Sequence, residues 1–221
     1  MKLNNINAVI FDLEGTLLTS KIDFMKMRKK MNEVLANYGF KEKTFPYIVV
    51  TNAKKFGLIL KEKGMSDIII SRINEEIAKV IHDVEMENMK ETVEISGATR
   101  TLRELKARNL KIAIVTRNGR ASALAALRIT DLLKFIDVLV ARDDCENPKP
   151  EPEHLLKALR ILKVKTNEAI MVGDSWPDIA CAINAKVKFI GVLTGYASQE
   201  TFREREVKFL PSVQDIIGLL E

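Results

Sequence analysis

Residues 8–16 read Ala8-Val9-Ile10-Phe11-Asp12-Leu13-Glu14-Gly15-Thr16. An unbroken apolar run that ends at a turn signal is typical of a strand buried on both faces of a parallel sheet. Asp12 is therefore expected at the carboxyl end of a central strand, where open α/β sheets bind their ligands. Because a buried strand has no structural need for two acids at its end, this stretch predicts a site that handles a charged group.

The composition predicts a globular protein with one large core. The chain has 221 residues, of which 47% are hydrophobic and 29% charged, enough for one domain with an insertion. No apolar run approaches the roughly 20 residues of a membrane helix. The chain enters a strand within its first residues, so we expect no secretory signal and a soluble cytoplasmic protein. Abundant lysine and glutamate indicate a thermophilic origin.

The charge and the reactive side chains exclude several classes of site. A dispersed net charge of +5 fits small anionic partners and does not indicate nucleic acid or a membrane surface. Cys145 and Cys181 are too few and too far apart to predict a disulfide framework or a thiolate metal site. His82 and His154 each stand alone on a helical pattern, and we expect both to be structural or exposed.

From Gly97 onward, apolar strands alternate with helices, and this order predicts a parallel sheet with right-handed crossovers. The opening strand must belong to the same sheet, so the expected fold is a three-layer, Rossmann-like α/β domain. The predicted strands cover residues 111–116, 135–141, 169–174 and 187–193, and the predicted helices cover 98–109, 119–129, 153–163, a segment that ends near Ala185 and a segment after Pro211.

The intervening segment is rich in helical patterns and poor in strands. Apolar residues at helical spacing predict helices over 23–38 and 52–63 and a long helix from Ser66, whereas residues 40–50 have no clear pattern. We expect a small helical domain over 20–95, inserted into a core domain made of 1–19 and 96–221.

Polar side chains follow several of the predicted strands. The carboxyl ends of parallel strands meet at one edge of a sheet, so side chains far apart in sequence are expected to converge there. Carboxylates at one edge repel each other unless a cation joins them, and oxygen ligands with a substrate phosphate suit Mg²⁺. The pattern predicts phosphoryl chemistry at a Mg²⁺ site. The converging residues are Asp12, Glu14, Thr116, Arg117, Asn118, Lys149, Asp174 and Asp178.

Four motifs in order resemble those of the haloacid dehalogenase superfamily. They are the segment 11–17, Thr116, Lys149 within Pro-Lys-Pro-Glu-Pro, and the segment 173–178. The resemblance spans the chain outside residues 20–95, and a helical insert between the first two motifs is similar to the cap of phosphoglycolate-phosphatase-like members. It implies a Mg²⁺-dependent phosphatase acting on a small phosphorylated metabolite.

The resemblance also implies a role for each residue of the site. Asp12 would be the nucleophile that forms an aspartyl-phosphate, and Glu14 would stand at the general acid/base position. Lys149 would offset charge on the nucleophile and phosphate. The remaining roles are Asp12, Asp174 and the Glu14 backbone carbonyl as Mg²⁺ ligands, Thr116, Arg117 and Asn118 as substrate contacts, and Asp178 as a residue that binds a metal-bound water or orients Lys149.

Glu14 departs from the family pattern, which has aspartate at this position. One extra methylene moves the carboxyl group by up to ~1.5 Å, and misplacement near 1 Å can cost about 100-fold in rate. Three interpretations of Glu14 stay open: an ordinary phosphatase, a slow phosphatase, and a phosphoester-binding module with little turnover. A sugar-phosphate mutase is the other enzymatic alternative, and a dehalogenase is disfavoured by the acids. The sequence leaves monomer and homodimer open.

Overall fold

The computed structural model describes residues 5–40, 53–87 and 89–219, with the backbone alone for residues 53–55. These residues form two compact units, one of Met1–Ser20 and Lys90–Glu221 and the other of Lys21–Met89. Apart from Phe40, the stretch 40–50 that had no clear sequence pattern lies outside the described residues.

The first unit is built on a six-stranded parallel sheet in the order β5-β4-β1-β6-β7-β8. The observed parallel sheet with helices along the chain confirms the α/β fold predicted from the sequence. The strands are β1 (Ala8–Phe11), β2 (Leu18–Thr19), β3 (Val93–Glu94), β4 (Lys111–Val115), β5 (Val138–Val140), β6 (Ala169–Gly173), β7 (Lys188–Val192) and β8 (Phe209–Leu210).

Eight α-helices fall within the described residues. They are α1 (Phe24–Asn37), α2 (Ala53–Glu62), α3 (Asp67–Glu87), α4 (Ala98–Ala107), α5 (Arg120–Ile129), α6 (Pro152–Leu162), α7 (Trp176–Asn184) and α8 (Gln199–Glu204). None of these helices is long and apolar enough to cross a membrane.

Strand β1 lies in the middle of the sheet and is buried on both faces. Alternate residues of a strand point to opposite faces, and Ala8 and Ile10 share one apolar cluster with residues of α6 and α7. The alternate residues Val9 and Phe11, which point to the other face, are also fully buried. Phe11 pairs with Ile114 of β4 and Val172 of β6. The residue after β1 therefore lies at the same edge as the residues that follow β4 and β6.

The structure differs from the sequence predictions in local detail. The helix predicted after Pro211 is present, with 3₁₀ geometry over Val213–Leu219. The predicted strand 135–141 pairs with β4 only over Val138–Val140. The short antiparallel pair β2–β3 and the edge strand β8 have too few residues to show a sequence pattern.

The second unit contains α1, α2 and α3, as the helical periodicity predicts. Helix α1 begins after Asp23, whose carboxylate accepts a hydrogen bond from the Lys26 backbone N–H at 2.8 Å. Apolar side chains from the three helices form one cluster, which includes Met31, Leu60 and Ile77. The unit thus has an apolar core of its own.

Candidate active site

Asp12 directly follows β1, and its backbone N–H donates to the Val172 carbonyl at 2.9 Å. Its carboxylate oxygen Oδ1 accepts a hydrogen bond from the Leu13 backbone N–H and lies 2.7 Å from the Lys149 ammonium. Burial and the nearby charge of Asp178 raise the pKa of Asp12 to about 6, although Lys149 opposes this rise. The carboxylate is therefore a buried anion held beside one cation.

Lys149 lies between two carboxylates and is 1% exposed. Its Nζ atom is 2.7 Å from Asp12 Oδ1 and 2.5 Å from Asp178 Oδ1. Burial alone would lower the pKa of Lys149, but the two anions raise it above its usual value. Asp178 also accepts hydrogen bonds from the backbone and side chain of Ser175. These contacts keep Lys149 charged and hold its ammonium between Asp12 and Asp178.

Asp174 follows β6 and lies at the same sheet edge. Its Oδ2 accepts a hydrogen bond from the Tyr196 backbone N–H at 2.8 Å, and its Oδ1 is 3.4 Å from the Thr16 hydroxyl. Burial and the charges of Asp12 and Asp178 raise the pKa of Asp174 to about 8. The rise records the cost of keeping several carboxylates close together in a buried place.

The loop after β7 passes very close to the Asp174 carboxylate. A Cβ atom added to Gly195 would lie 1.8 Å from Asp174 Oδ2, and one added to Gly15 would lie 2.6 Å from it. The Thr194 hydroxyl donates to the Gly15 carbonyl at 2.7 Å. This site therefore requires glycine at two positions, because only a residue without a side chain leaves room for the carboxylate.

The carboxylates of Asp12, Asp174 and Asp178 provide oxygen atoms that lie within 4.8 Å of one another. Lys149 supplies a single positive charge against the three, and the pKa of both Asp12 and Asp174 is raised. Oxygen-only ligands suit a hard divalent cation such as Mg²⁺. The cluster fits a metal ion, which would offset the repulsion that Lys149 leaves uncompensated.

Glu14 lies two residues beyond Asp12, and its carboxylate binds Ser20. The Ser20 backbone N–H donates to Oε1 at 2.7 Å and the Ser20 hydroxyl donates to Oε2 at 2.6 Å. Burial raises the pKa of Glu14 to about 7, with a smaller contribution from the charge of Asp12, while the bonds from Ser20 lower it. A carboxyl group with this pKa exchanges protons near neutral pH.

Thr116 follows β4 and continues its pairing, since its backbone N–H donates to the Val140 carbonyl at 3.1 Å. The side chain is buried, and its hydroxyl oxygen accepts a hydrogen bond from the Asn118 backbone N–H at 3.1 Å. The hydroxyl keeps its own hydrogen for donation to another acceptor. Thr116 is thus a donor at the edge where Asp12 also lies.

Arg117 holds a buried polar atom that has no partner. Its Nε atom is buried, and no group among the described residues accepts a hydrogen bond from it. Burial and the charges of Glu14 and Asp174 raise the pKa of Tyr196, and the charge of Arg117 lowers it, so these three charged groups lie near the Tyr196 hydroxyl. A buried donor without a partner is costly, and an anionic ligand would satisfy it.

The structure brings Asp12, Asp174, Asp178 and Lys149 into one cluster at the carboxyl edge of the sheet. The Glu14 carboxylate is not part of this cluster and binds Ser20.

Three contributors were not predicted as site residues: His154, which was expected to be structural or exposed and accepts a hydrogen bond from the Lys149 backbone, Gly195 and Ser20. Gly195 is the third residue after the apolar strand β7, and a glycine this close to a strand end was a signal that could have identified it. His154 and Ser20 carry no such signal, since each acts through one hydrogen bond that depends on the fold.

Comparison with known proteins adds independent information. The profile of the family described as "Haloacid dehalogenase-like hydrolase" matches residues 9–192. A protein from Bacillus cereus (strain B4264) named pyrophosphatase PpaX is 35% identical over 219 residues, which cover 97% of this chain and 96% of the relative. The match therefore extends through both units.

Solved structures give the same picture. A Lactobacillus plantarum chain, provisionally described as a phosphoglycolate phosphatase, aligns with a TM-score of 0.69 and 25% identity, covering 99% of this chain and 100% of the other. A Thermotoga maritima chain, provisionally described as a beta-phosphoglucomutase, aligns with a TM-score of 0.64 and 25% identity, covering 97% and 98%. Chains assigned to hydrolysis and to isomerisation thus share this fold.

Proposed function

The chain belongs to the haloacid dehalogenase-like hydrolases and is a phosphatase-type enzyme of that family, and on this premise we propose that it hydrolyses a small phosphomonoester with Mg²⁺ bound. The observation that carries the proposal is the cluster in which Lys149 contacts Asp12 and Asp178 while Asp174 lies within reach. A nucleophile, a fixed cation and a metal-binding carboxylate in one buried place are the components of phosphoryl transfer.

In the first step, a carboxylate oxygen of Asp12 attacks phosphorus and the bond to the ester oxygen breaks. The product is an aspartyl-phosphate, and Glu14 gives its proton to the leaving oxygen. The pKa of Glu14, raised to about 7, supports this role because a proton is available near neutral pH. Lys149 and the Thr116 hydroxyl are placed to offset and bind negative charge on the phosphoryl oxygens.

In the second step, water attacks the phosphorus of the aspartyl-phosphate. Glu14, now deprotonated, takes a proton from the water, and the bond between phosphorus and Asp12 breaks to release inorganic phosphate. Asp12, Asp174 and the Glu14 backbone carbonyl would hold Mg²⁺, which supplies positive charge for the carboxylates and the phosphoryl oxygens when bound. Asp178 keeps Lys149 in place through both steps.

Arg117 and Asn118 are the proposed contacts to the rest of the substrate. They follow Thr116 at the same sheet edge, and the unpartnered Arg117 Nε calls for an acceptor. An anionic group on the substrate, such as a carboxylate or a second phosphoryl group, would provide it. Inorganic pyrophosphate therefore belongs in the substrate panel beside phosphomonoesters.

Two alternatives have support of their own. Both carboxylate oxygens of Glu14 bind Ser20, and a persistent contact of this kind would give slow turnover or a phosphoester-binding module. The similarity to a chain provisionally described as a beta-phosphoglucomutase favours a mutase as the second enzymatic candidate. Four further statements stay predictions. They are that the helical unit is a cap, that the protein is a monomer or homodimer, that it is cytoplasmic and that it has a thermophilic origin.

The test is a panel of phosphorylated metabolites and pyrophosphate, assayed for inorganic phosphate with Mg²⁺ and with a chelator. The proposal expects phosphate release that requires the metal and is lost in Asp12→Asn. An isomerised sugar phosphate without phosphate release would identify a mutase. Binding without any turnover would leave the phosphoester-binding module.

A further inference from the structure

We propose that His154 is a positioning residue, which holds the Lys149 backbone so that the Lys149 ammonium stays in contact with Asp12. The inference rests on the proposed function, since it assigns Lys149 to the phosphoryl-transfer site. It assigns a positioning role to a histidine that, from the sequence alone, is an isolated residue on a predicted helix.

The His154 ring makes two hydrogen bonds to the backbone and is fully buried. Its Nδ1 accepts from the Lys149 backbone N–H at 3.1 Å, and its Nε2 lies 3.1 Å from the Ala141 carbonyl oxygen. Because Nδ1 accepts, Nε2 must carry the hydrogen and donate to Ala141. Burial and the charge of Lys149 lower the pKa of His154 to about 4, which keeps this neutral tautomer at ordinary pH.

The local sequence leaves the segment 148–150 one backbone N–H with which to make this contact. Pro148 and Pro150 flank Lys149, and proline has no backbone N–H. Lys149 therefore carries the single backbone donor of the segment 148–150. That donor is bound by the His154 ring.

The other bond of the ring connects the Lys149 loop to a second part of the site. Ala141 directly follows β5, and the preceding residue Val140 accepts a hydrogen bond from the Thr116 backbone N–H at 3.1 Å. The His154 ring thus joins the strand end that fixes Thr116 to the loop that carries Lys149. Both residues have proposed contacts to the phosphoryl group, so their spacing depends on the ring.

Loss of the hydrogen bond between His154 and Lys149 should act on turnover more than on binding. Lys149 Nζ lies 2.7 Å from Asp12 and 2.5 Å from Asp178, and displacement of a reacting group by about 1 Å can cost on the order of 100-fold in rate. A histidine that merely fills space would affect stability without a selective effect on kcat.

The test compares His154→Asn with His154→Leu. Asparagine and leucine have similar shape and leave the same cavity, but only asparagine offers an oxygen near the position of Nδ1 to accept the Lys149 N–H. Leu159→Ala, in the same helix and within the apolar cluster that packs on β1, is the control for destabilisation alone. Steady-state kinetics use an aryl phosphate with Mg²⁺, below the unfolding temperature of every variant.

We expect His154→Leu to lower kcat by about 10- to 100-fold with little change in KM, His154→Asn to recover most of kcat, and Leu159→Ala to keep the kcat of the wild type. Equal kcat in the asparagine and leucine variants, or wild-type kcat in His154→Leu, would overturn the inference.

A readout without turnover separates this inference from the proposed function. If the wild-type enzyme releases no phosphate, the proposed function fails, and the ¹⁵N signal of the Lys149 ammonium still reports its position. The signal, assigned by its loss in Lys149→Arg, should be shared by the wild type and His154→Asn and shifted in His154→Leu. An unchanged signal in His154→Leu would count against positioning.

Discussion

The carboxylate of Glu14 binds Ser20 through both of its oxygens, at 2.7 Å to the backbone N–H and at 2.6 Å to the hydroxyl. Ser20 is also the residue at which the first segment of the α/β unit ends. The side chain that must exchange protons in the proposed reaction is therefore held by two donors. Its pKa of about 7 balances burial, which raises it, against these hydrogen bonds, which lower it.

Replacing Ser20 by alanine removes one of the two donors. Because the Ser20 hydroxyl lowers the pKa of Glu14, Ser20→Ala should raise that pKa further, and the limb of the pH–rate profile that Glu14 controls should move to higher pH. Ser71→Ala, which removes an exposed serine–glutamate bond to Glu75, is the control and should leave the profile unchanged. A profile that does not move in Ser20→Ala would argue against Glu14 as the proton-exchanging group.

Asp174 should make the stability of the metal-free protein depend on pH. Its pKa is about 8 in the folded protein and about 3.9 when unfolded. Because the pKa of Asp174 is higher in the folded protein, this group stabilises the fold at pH values below its unfolded-state pKa. The stabilisation is lost as the pH rises through about 8. With a chelator present, the unfolding temperature of the wild type should fall as the pH rises from about 3.9 to about 8. The unfolding temperature of Asp174→Asn should fall less over the same range.

Added Mg²⁺ should raise the unfolding temperature of the wild type and not that of Asp174→Asn, because binding to the folded state stabilises it. Asp131→Asn, at an exposed carboxylate paired with Lys134, should behave like the wild type in both experiments. Equal stabilisation of Asp174→Asn by Mg²⁺ would remove Asp174 from the metal site.

Gly195→Ala should damage the metal site through a steric clash. The added Cβ atom would lie 1.8 Å from Asp174 Oδ2, so the carboxylate or the loop must move. We expect Mg²⁺ affinity to fall by at least about 10-fold, in the range caused by changes around metal ligands. Isothermal titration checks this, with Gly218→Ala as the control because nothing lies within 4 Å of a Cβ there. Unchanged affinity in Gly195→Ala would contradict the proposed role of Asp174.

Lys149→Met should be strongly destabilising without metal. The change leaves Asp12 and Asp178 buried without their shared cation, and loss of one partner of a buried ion pair costs about 3–5 kcal/mol. The loss in the free energy of unfolding should shrink as the pH falls, because protonation relieves the repulsion. Urea unfolding measures it. Lys79→Met, which removes an exposed pair with Asp83, should change the free energy of unfolding little; an equally small change in Lys149→Met would contradict the role of Lys149 as the shared cation.

Local sequence patterns predicted the sheet and the convergence of the site. Strand β1 is an apolar run closed by Asp12, and the parallel pairing of Phe11 with Ile114 and Val172 follows from alternation of strands and helices. Once the strands are parallel, residues after their carboxyl ends must share one edge. For this reason Asp12 and Asp174 could be placed together although the chain separates them by most of its length.

Hydrogen bonds between distant residues could not be predicted in the same way. The partner of Glu14 depends on a side-chain rotamer, and the partners of His154 are backbone groups of Lys149 and Ala141 that only the folded loop brings near. Short elements such as β8 were missed since two residues carry no periodicity. Sequence patterns therefore predict which residues meet, whereas the fold decides how they are held.

The central claim is that Asp12 carries the phosphoryl group during turnover. The most direct measurement is acid quenching of Glu14→Gln with Mg²⁺ and an aryl phosphate, whose leaving group departs without a proton from Glu14, followed by mass spectrometry of peptides. Without a base for the second step, the variant should accumulate one phosphoryl group on the peptide that contains Asp12, and Asp12→Asn should accumulate none. Phosphate release by the wild type with no phosphoryl group trapped on Asp12, or equal release by Asp12→Asn, would contradict the claim.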